Sequence, residues 1–332
     1  MVKLTRRRLF ANTAAAAAAT ALAPIAPFSV AHASAPVSGK QAPGIYRYKV
    51  GDFEVTQILD GARTFPVPDG FVTNVSKDQA IAAAEAAYMP KGQVTIPFSP
   101  MVVNTGSKLV LVDTGNGPGA FEQTKGAVGQ LHTSLAAAGI DAKAIDIVLI
   151  SHFHGDHVNG LRHADGSLAF PNAEIKVPAG EWAFWMDDAN VAKANGFNKN
   201  QFQFPKKAFA GLENKVTKYE AGKEVAPGIT SIATPGHTPD HMSFVIASGT
   251  GKIAVQSDVT NIPSLFLQNP DWSVVFDNDA ALAVQSRHKF LDMAAAEKMT
   301  VVGYHFPFPA VGHVEKAASG YRLVPVLWSP TI

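Results

Sequence analysis

Short apolar runs that fit strands alternate with stretches of helical spacing along most of the sequence. Residues 46–59 alternate between apolar and polar positions around Gly51-Asp52, which predicts two strands joined by a hairpin turn. Residues 77–88 are predicted as a helix capped by Ser76, and residues 121–138 as a helix that ends at Gly139. Further strands are predicted at 101–105, 109–112, 145–150, 174–177, 228–233, 243–247, 252–256, 300–303 and 321–327, with a third helix at 279–298.

The order of these elements predicts a single α/β domain. Strands are followed by helices in two successive halves of the chain, an arrangement typical of layered folds with sheets inside and helices outside. No repeat of solenoid period and no low-complexity segment occurs after residue 33. Residues 60–100 are long for a connection in a compact domain, and such connections often act as lids or partner surfaces. We therefore expect one domain over residues 34–332.

Composition limits the function classes that this chain can serve. Hydrophobic residues make up 47% of its 332 residues and the formal net charge is +1, values typical of a globular protein. The densest positive cluster lies at the extreme N-terminus, so we expect no basic face for nucleic acid. The absence of cysteine excludes disulfides and thiolate ligands, and any transition-metal site must therefore use imidazole and carboxylate groups.

The N-terminus is typical of an export signal. Arg6-Arg7 is followed by Leu9-Phe10, then by an alanine-rich apolar stretch and by the cleavage pattern Ala31-His32-Ala33. Pro24 and Pro27 interrupt the apolar stretch, which argues against a stable membrane anchor. We expect residues 1–33 to be a twin-arginine signal peptide, recognised by the twin-arginine export machinery and then cleaved. The mature protein is accordingly expected in the periplasm or outside the cell.

A dense group of metal-binding residue types follows the predicted strand at 145–150. Loops at the carboxyl ends of strands are where α/β folds place their sites. Gly155 is expected to let the backbone turn tightly, so that the side chains converge. A surface histidine run would have polar, flexible flanks, whereas apolar residues 147–150 precede this group and Val158 follows it. The pattern predicts a metal site built on His152, His154, Asp156 and His157.

This H-x-H-x-D-H run resembles the motif of the metallo-β-lactamase superfamily, and further family motifs follow in order. Asp113 stands in Leu-Val-Asp-Thr-Gly and resembles the early acidic motif. His237 in Pro-Gly-His-Thr-Pro, Asp258 after a strand and His305 after the next strand resemble the later ones. The resemblance covers residues 46–325 and implies a four-layer αββα sandwich within the α/β class.

The resemblance also implies a dinuclear centre. One metal is expected on His152, His154 and His237, and the second on Asp156, His157 and His305. Asp258 is expected to bridge the two metals together with a hydroxide, whose formation two shared cations would favour at neutral pH. Asp113 is the expected acceptor for a ligand's second N–H, and His241 is expected to support the site. Zinc suits the nitrogen-rich site, whereas the second site would also accept manganese, cobalt or iron.

Within the superfamily the chain resembles methyl parathion hydrolase-like enzymes. The segments that carry this resemblance are residues 103–115, 170–173, 236–239 and 320–326. It implies a homodimer and an aromatic substrate pocket that contains Phe121 and Trp185, with Phe197 and Phe202 both candidates for a third ring. Residues 196–207 are predicted to form a loop at the pocket rim.

An apolar pocket beside two metals predicts hydrolysis of neutral, hydrophobic esters. An organophosphate triester such as methyl parathion and a lactone are both expected substrates. A β-lactamase and a lactonase specific for acyl-homoserine lactones are the enzymatic alternatives, and a metal-bound binding protein without turnover is the alternative from another class. Asp258 and the absence of cysteine argue against the β-lactamases. The complete set of seven ligands argues against a binding protein.

Overall fold

The computed structural model describes residues 38–194 and 196–332. The predicted signal peptide at 1–33 lies outside the described residues. Residues 43–332 form one compact unit. Among the described residues, no helix is both long enough and apolar enough to cross a membrane.

In the described part of the chain, the β structure consists of two seven-stranded sheets and a separate strand pair. The strands are β1 (Ile45–Val50), β2 (Phe53–Ile58), β3 (Gly61–Pro66), β4 (Gln93–Phe98), β5 (Met101–Asn104), β6 (Leu109–Val112), β7 (Ile147–Leu149), β8 (Glu174–Pro178), β9 (Val216–Tyr219), β10 (Glu224–Ala226), β11 (Ile229–Ala233), β12 (Met242–Ser248), β13 (Gly251–Ser257), β14 (Thr300–Gly303), β15 (Val311–Lys316) and β16 (Tyr321–Pro325). The first sheet has the order β1-β2-β5-β6-β7-β8-β9 and the second runs from β10 to β16 in chain order. Strands β3 and β4 pair with each other.

Parallel pairing decides where the functional residues gather. Strands β6, β7, β8 and β9 run parallel in the first sheet, as do β13 and β14 in the second. Because parallel strands end at the same edge of a sheet, the segments that follow β6 and β7 lie side by side, as do those that follow β13 and β14. The motif residues of all four segments are therefore presented at the strands' carboxyl ends.

Helices cover the outer faces of both sheets and complete an αββα sandwich. Between the sheets lies an apolar core that includes Val103 and Leu149 from the first sheet and Phe244 from the second. The helices are α1 (Lys77–Ala86), α2 (Gly117–Gln123), α3 (Leu131–Ala137), α4 (Gly155–Val158), α5 (Ala179–Trp185), α6 (Asp188–Lys193), α7 (Gly196–Gln201), α8 (Gln203–Ala208), α9 (Pro263–Phe266) and α10 (Ala280–Ala296). The α/β class and the four-layer architecture expected from the sequence are thus confirmed.

Two of the expected elements are wrong. The single helix expected at 121–138 is two helices, α2 and α3, because the buried Asp60 carboxylate accepts hydrogen bonds from the backbone N–H groups of Gly129 and Leu131 and starts α3 there. Gly126 and Gly129 take positive φ values in the turn between the helices. The loop expected at 196–207 instead forms α7 and α8.

The long segment at 60–100 is an ordered subdomain and not an open loop. Strands β3 and β4 flank α1, which begins with a capping box in which Ser76 and Gln79 exchange side-chain bonds to backbone N–H groups. Phe71, Val94 and Ile96 pack against apolar residues of α9, such as Phe266, and of the loop at 272–276. This subdomain reaches the metal-binding residues, because its Pro97 carbonyl accepts a hydrogen bond from the predicted ligand His305.

Candidate metal centre

The motif at 152–157 is compact because the chain passes from β7 into α4 within a few residues. Gly155 opens this short helix with an ordinary helical conformation, so the positive φ that a tight turn would need is not present. A Cβ atom at Gly155 would lie 2.9 Å from both the Asn159 amide and the Phe204 ring. The chain does turn sharply at this point, and glycine is required here for space and not for its backbone conformation.

Three histidines form the first cluster. His152, His154 and His237 offer ring nitrogens that all lie within 4.8 Å of one another. The Nδ1 atom of His154 is 3.0 Å from Nε2 of His237, and each of the three residues is at most 4% exposed. Burial and the neighbouring imidazoles hold the pKa values of His152 and His154 well below their ordinary range. Both rings are therefore neutral and present lone pairs, as a metal ligand requires.

Asp156, His157, Asp258 and His305 form the second cluster. The Nε2 atom of His305 lies 2.9 Å from Oδ2 of Asp258, and Nε2 of His157 lies 3.2 Å from Oδ1. Burial by itself lowers the pKa of His157, but the carboxylates of Asp258, Asp113 and Asp156 outweigh it and hold that pKa well above its ordinary value. The fold thus concentrates negative charge where a cation would sit.

Asp258 stands between the clusters. Its Oδ2 atom is 3.3 Å from Nε2 of His237 in the first cluster as well as 2.9 Å from His305 in the second. His241 fixes its backbone, since the Nε2 atom of that ring accepts the Asp258 N–H at 3.1 Å. Burial, reinforced by His237, lowers the pKa of His241 to about 3 and keeps the ring neutral for this task. His241 is a support of the bridging residue, as its position in the sequence predicts.

Within the described residues, several buried atoms at the centre have no partner aligned for a hydrogen bond, although other ligand-type atoms lie close to them. These buried atoms are Nε2 of His152 and of His157 and Oδ1 of Asp258. Unsatisfied buried polar atoms cost free energy and are rare in folded proteins. Each of these atoms points into a cluster of other ligand-type atoms, and imidazole with carboxylate is the donor set that zinc and related metals accept. The seven side chains therefore fit two divalent metal ions.

Outer contacts aim the ligands. Nδ1 of His157 donates to Asp113 at 2.8 Å, and the same carboxylate accepts the N–H and the hydroxyl of Ser151. Asp113 has a φ of +60°, a strained value for a residue other than glycine and one that often marks functional sites. His305 donates from Nδ1 to the Pro97 carbonyl at 2.8 Å. With Nδ1 occupied, the Nε2 atom of each ring is the one that faces the centre.

Sequence reasoning missed Asp277 as a further outer contact. Its Oδ1 atom accepts a hydrogen bond from Nδ1 of His237 at 2.8 Å. Asp277 lies 40 residues beyond His237 and stands in no recognisable motif, so only the folded structure could connect the two. Gly236 allows α10 to lie against the His237 motif, because a Cβ there would lie 2.1 Å from the backbone nitrogen of Ala283.

The aromatic residues expected to line the pocket are placed differently from the prediction. Trp185 and Phe202 are buried in the core, where the indole N–H of Trp185 bonds to Glu181 at 2.8 Å. The Trp185 ring lies 5.8 Å from the His154 ring between centroids, and neither Trp185 nor Phe202 lines an open pocket, which corrects the expectation. Phe197 is half-buried, 5.9 Å from the His154 ring between centroids and 4.9 Å from the ring of Phe276, a residue that the sequence did not single out.

Phe121 is 41% exposed on α2, and its ring lies over the backbone of Gly126. Its part in the pocket remains a prediction. The partly exposed aromatic ring beside the first cluster is therefore that of Phe197, which packs on Phe276.

The family model of the metallo-beta-lactamase superfamily matches residues 99–305, more than half of the chain. The chain belongs to this superfamily. The solved structure of AidC, a dizinc quorum-quenching lactonase, is 26% identical with a TM-score of 0.79 and covers 87% of this chain and 100% of its own. The hydrolase AbOPH, also of the beta lactamase superfamily, is 28% identical with a TM-score of 0.79 and the same coverage.

Two curated relatives are similar over shorter stretches. The N-acyl homoserine lactonase of a Bacillus species is 25% identical over 224 residues, which cover 63% of this chain and 81% of that protein. The uncharacterized protein YobT of Bacillus subtilis (strain 168) is 26% identical over 149 residues, which cover 45% of this chain and 57% of YobT. This chain thus spans only a little over half of the length of YobT.

Proposed function

We propose that this superfamily member is a dinuclear zinc hydrolase that acts on neutral, hydrophobic esters, with lactones as its preferred class. The observation that carries the proposal is the position of Asp258, whose carboxylate contacts ligand-type nitrogens of both clusters at 2.9–3.3 Å. A carboxylate so placed can hold two cations close enough to share one water molecule. Two bound cations would supply a water acidified towards neutral pH and Lewis acidity for the scissile carbonyl or phosphoryl oxygen.

The protein's own residues hold and orient the participants. His152, His154 and His237 would hold one ion, and Asp156, His157 and His305 the other, with Asp258 shared by both. The side chain of Asp156 is 23% exposed, whereas the other ligands are almost fully buried, so the centre opens to solvent on the Asp156 side. An ester group can enter there while the rest of the centre stays protected from bulk water.

We place the apolar wall of the substrate site at Phe197 and Phe276, because the Phe197 ring lies 5.9 Å from the ring of the proposed ligand His154 between centroids. The two phenylalanine rings pack at 4.9 Å, and Asp277, next to Phe276, bonds to the ligand His237. An acyl chain or aryl group resting on the two rings would leave its ester group over the metals. The rings of Phe197 and Phe276 favour a neutral organic group over a charged one, because a charge resting on them would lose its hydration without gaining a partner.

The lactone class is favoured by the relatives, since AidC and the Bacillus enzyme are lactonases and both share this superfamily. Phosphotriesters are the second candidate because the same centre can attack phosphorus as well as carbonyl carbon. A β-lactam remains the alternative that the proposal must exclude. A hydrolysis panel with an acyl-homoserine lactone, methyl parathion, an aryl ester and nitrocefin, run on zinc-loaded protein, tests the order. We expect kcat/KM to be highest for the lactone and lowest for nitrocefin, and a preference for nitrocefin would refute the proposal.

Shortening either aromatic ring should reduce the preference for long substrates. We expect Phe197→Ala and Phe276→Ala to lower kcat/KM for a long-chain acyl-homoserine lactone. The drop should correspond to a loss of about 1–3 kcal/mol of transition-state binding, the scale of one lost apolar contact. A short-chain lactone should lose much less, and zinc content should not change. Trp328→Ala is the control, because this aromatic ring is 74% exposed beyond β16, and we expect kcat/KM to stay the same on both lactones. Equal losses on long and short lactones would mean that Phe197 and Phe276 serve the fold alone.

A further inference from the structure

Arg287 is a buried cation in the middle of α10. It is 2% exposed, and a charged side chain is rarely found at such depth without partners. Its guanidinium donates to three backbone carbonyls, those of Val259 at 3.0 Å, Pro270 at 2.7 Å and Trp272 at 2.6 Å. The Phe266 ring lies 5.6 Å from the guanidinium carbon. Nothing in the ligand set proposed above makes use of this residue.

The partners of Arg287 belong to two segments that carry parts of the metal centre. Val259 directly follows the bridging residue Asp258. Pro270 and Trp272 begin the loop that ends at Asp277, the acceptor for His237. The second carboxylate oxygen of Asp277 is buried, accepts no hydrogen bond from the part of the chain that the structure describes, and lies 3.7 Å from Nη2 of Arg287. One guanidinium thus contacts the supports of two metal ligands that come from different parts of the chain.

Backbone contacts make the connection to His237 stiff. The N–H of Asn278 donates to the carbonyl of His237 at 3.0 Å, and the N–H of Asp279 donates to the carbonyl of Gly236 at 2.9 Å. Asp279 also caps α10 by accepting the N–H of Leu282. The loop at 277–279 therefore runs alongside the His237 motif and joins it to the helix that carries Arg287.

Burial of an ion pair contributes little to stability, because the desolvation of two charges offsets their attraction. Arg287 and Asp277 are 3.7 Å apart rather than in direct hydrogen-bond contact, which lowers that attraction further. Retaining such a pair needs another purpose than stability. Orientation of a metal ligand is one, since an outer carboxylate that holds a histidine N–H affects metal affinity by about 10–100-fold.

We propose that Asp277 and Arg287 are positioning residues for the metal centre. Asp277 holds the His237 ring with Nε2 directed at the three-histidine cluster. Arg287 holds Asp277 and, through the Val259 carbonyl, keeps that ring in register with Asp258. The pair thereby raises the affinity of the ion bound by His152, His154 and His237. This inference rests on the proposed dinuclear centre but not on the identity of the ester.

The test measures zinc affinity and not turnover. Metal-stripped full-length protein is titrated with Zn²⁺ in competition with a chromophoric chelator, for the original protein and for Asp277→Asn and Arg287→Lys. We expect Asp277→Asn to lower the affinity for one of the two zinc ions by about 10–100-fold and to leave the affinity for the other nearly unchanged. Arg287→Lys keeps the charge but cannot reach all three carbonyls, and it should weaken the same ion by a smaller factor.

Asp271→Asn is the matched control. Asp271 lies in the same loop but is exposed. Its carboxylate lies 2.7 Å from Nε2 of His288, and neither residue belongs to the metal centre. The Asp271→Asn variant should bind both zinc ions with the affinities of the original protein. Circular dichroism of the metal-stripped variants shows which of them fold, and Arg287→Lys decides the question if Asp277→Asn does not fold.

The two possible failures are distinguishable. Fewer than two zinc ions bound by the original protein would contradict the dinuclear function itself. Two ions bound by the original protein, with unchanged affinities in folded Asp277→Asn or Arg287→Lys, would overturn only the positioning role. A cobalt(II) titration adds an independent readout, because a displaced His237 should alter the visible absorption of one ion in Asp277→Asn and not in Asp271→Asn.

Discussion

Replacing Asp258 with asparagine should abolish ester hydrolysis and remove at least one metal ion from the protein. Both carboxylate oxygens lie among ligand nitrogens, Oδ2 near His237 and His305 and Oδ1 near His157. Asparagine offers one oxygen and no charge, and its NH₂ group would face a metal or an imidazole lone pair. We expect kcat/KM to fall by more than the roughly 100-fold typical of a lost outer contact, since Asp258 contacts both clusters directly. Elemental analysis and kinetics on the same sample measure both effects.

Asp292→Asn is the control for this experiment. Asp292 is also a carboxylate, but it lies on α10 at the surface and bonds to Lys316 and Tyr321. Its replacement should leave the zinc content and kcat/KM as they are. Full retention of two ions and of activity in Asp258→Asn would rule out the bridging assignment.

Truncation of Trp185 should have the largest effect on stability of any change considered for this protein. The indole is fully buried against Phe184 and Phe202, and its N–H bonds to the buried Glu181 carboxylate. We expect Trp185→Ala to lower the free energy of unfolding by about 3–5 kcal/mol, the range for a large aromatic lost from a core. Denaturant unfolding monitored by circular dichroism measures the change. At matched zinc loading, any loss of kcat/KM should be similar for long-chain and short-chain lactones.

Trp185→Phe separates packing from the hydrogen bond. Phenylalanine keeps most of the ring volume but removes the donor to Glu181, which retains its bonds from the N–H groups of Phe153 and Asp240. A loss of about 1–3 kcal/mol is expected for the missing bond. Unchanged stability in Trp185→Ala, together with a loss confined to long substrates, would restore Trp185 to the pocket wall.

The ligand residues could be located from the sequence because local patterns specify them. Each follows a short apolar strand or a glycine turn, and strand ends are where α/β folds collect their sites. His152, in the dense run at 152–157, needed only this local information, whereas Asp258 was assigned through its resemblance to a later motif of the superfamily. The superfamily and the four-layer fold were predicted from the same motifs and are confirmed. Most strand positions were found within two residues, since alternation and apolar runs are themselves local.

Features that depend on distant contacts were missed. Asp60 divides the expected helix by accepting N–H groups about 70 residues away, and Asp277 reaches His237 from another loop. Neither carboxylate differs in its local sequence from an ordinary surface residue. The aromatic residues were misplaced for a related reason. Hydrophobicity indicates that Trp185 and Phe197 are both buried to some extent, but not which of them faces a pocket and which faces the core.

Each ligand cluster combines side chains from both halves of the sandwich. His152 and Asp156 follow a strand of the first sheet, whereas His237, Asp258 and His305 follow strands of the second. An ion in either cluster would therefore act as a cross-link between the sheets, in a chain whose sequence has no cysteine for a disulfide. At a free metal concentration 1,000 times the dissociation constant, each ion would stabilise the folded state by about 4 kcal/mol. Such a chain could retain its ions only after the two sheets have docked, so metal occupancy would record that folding is complete.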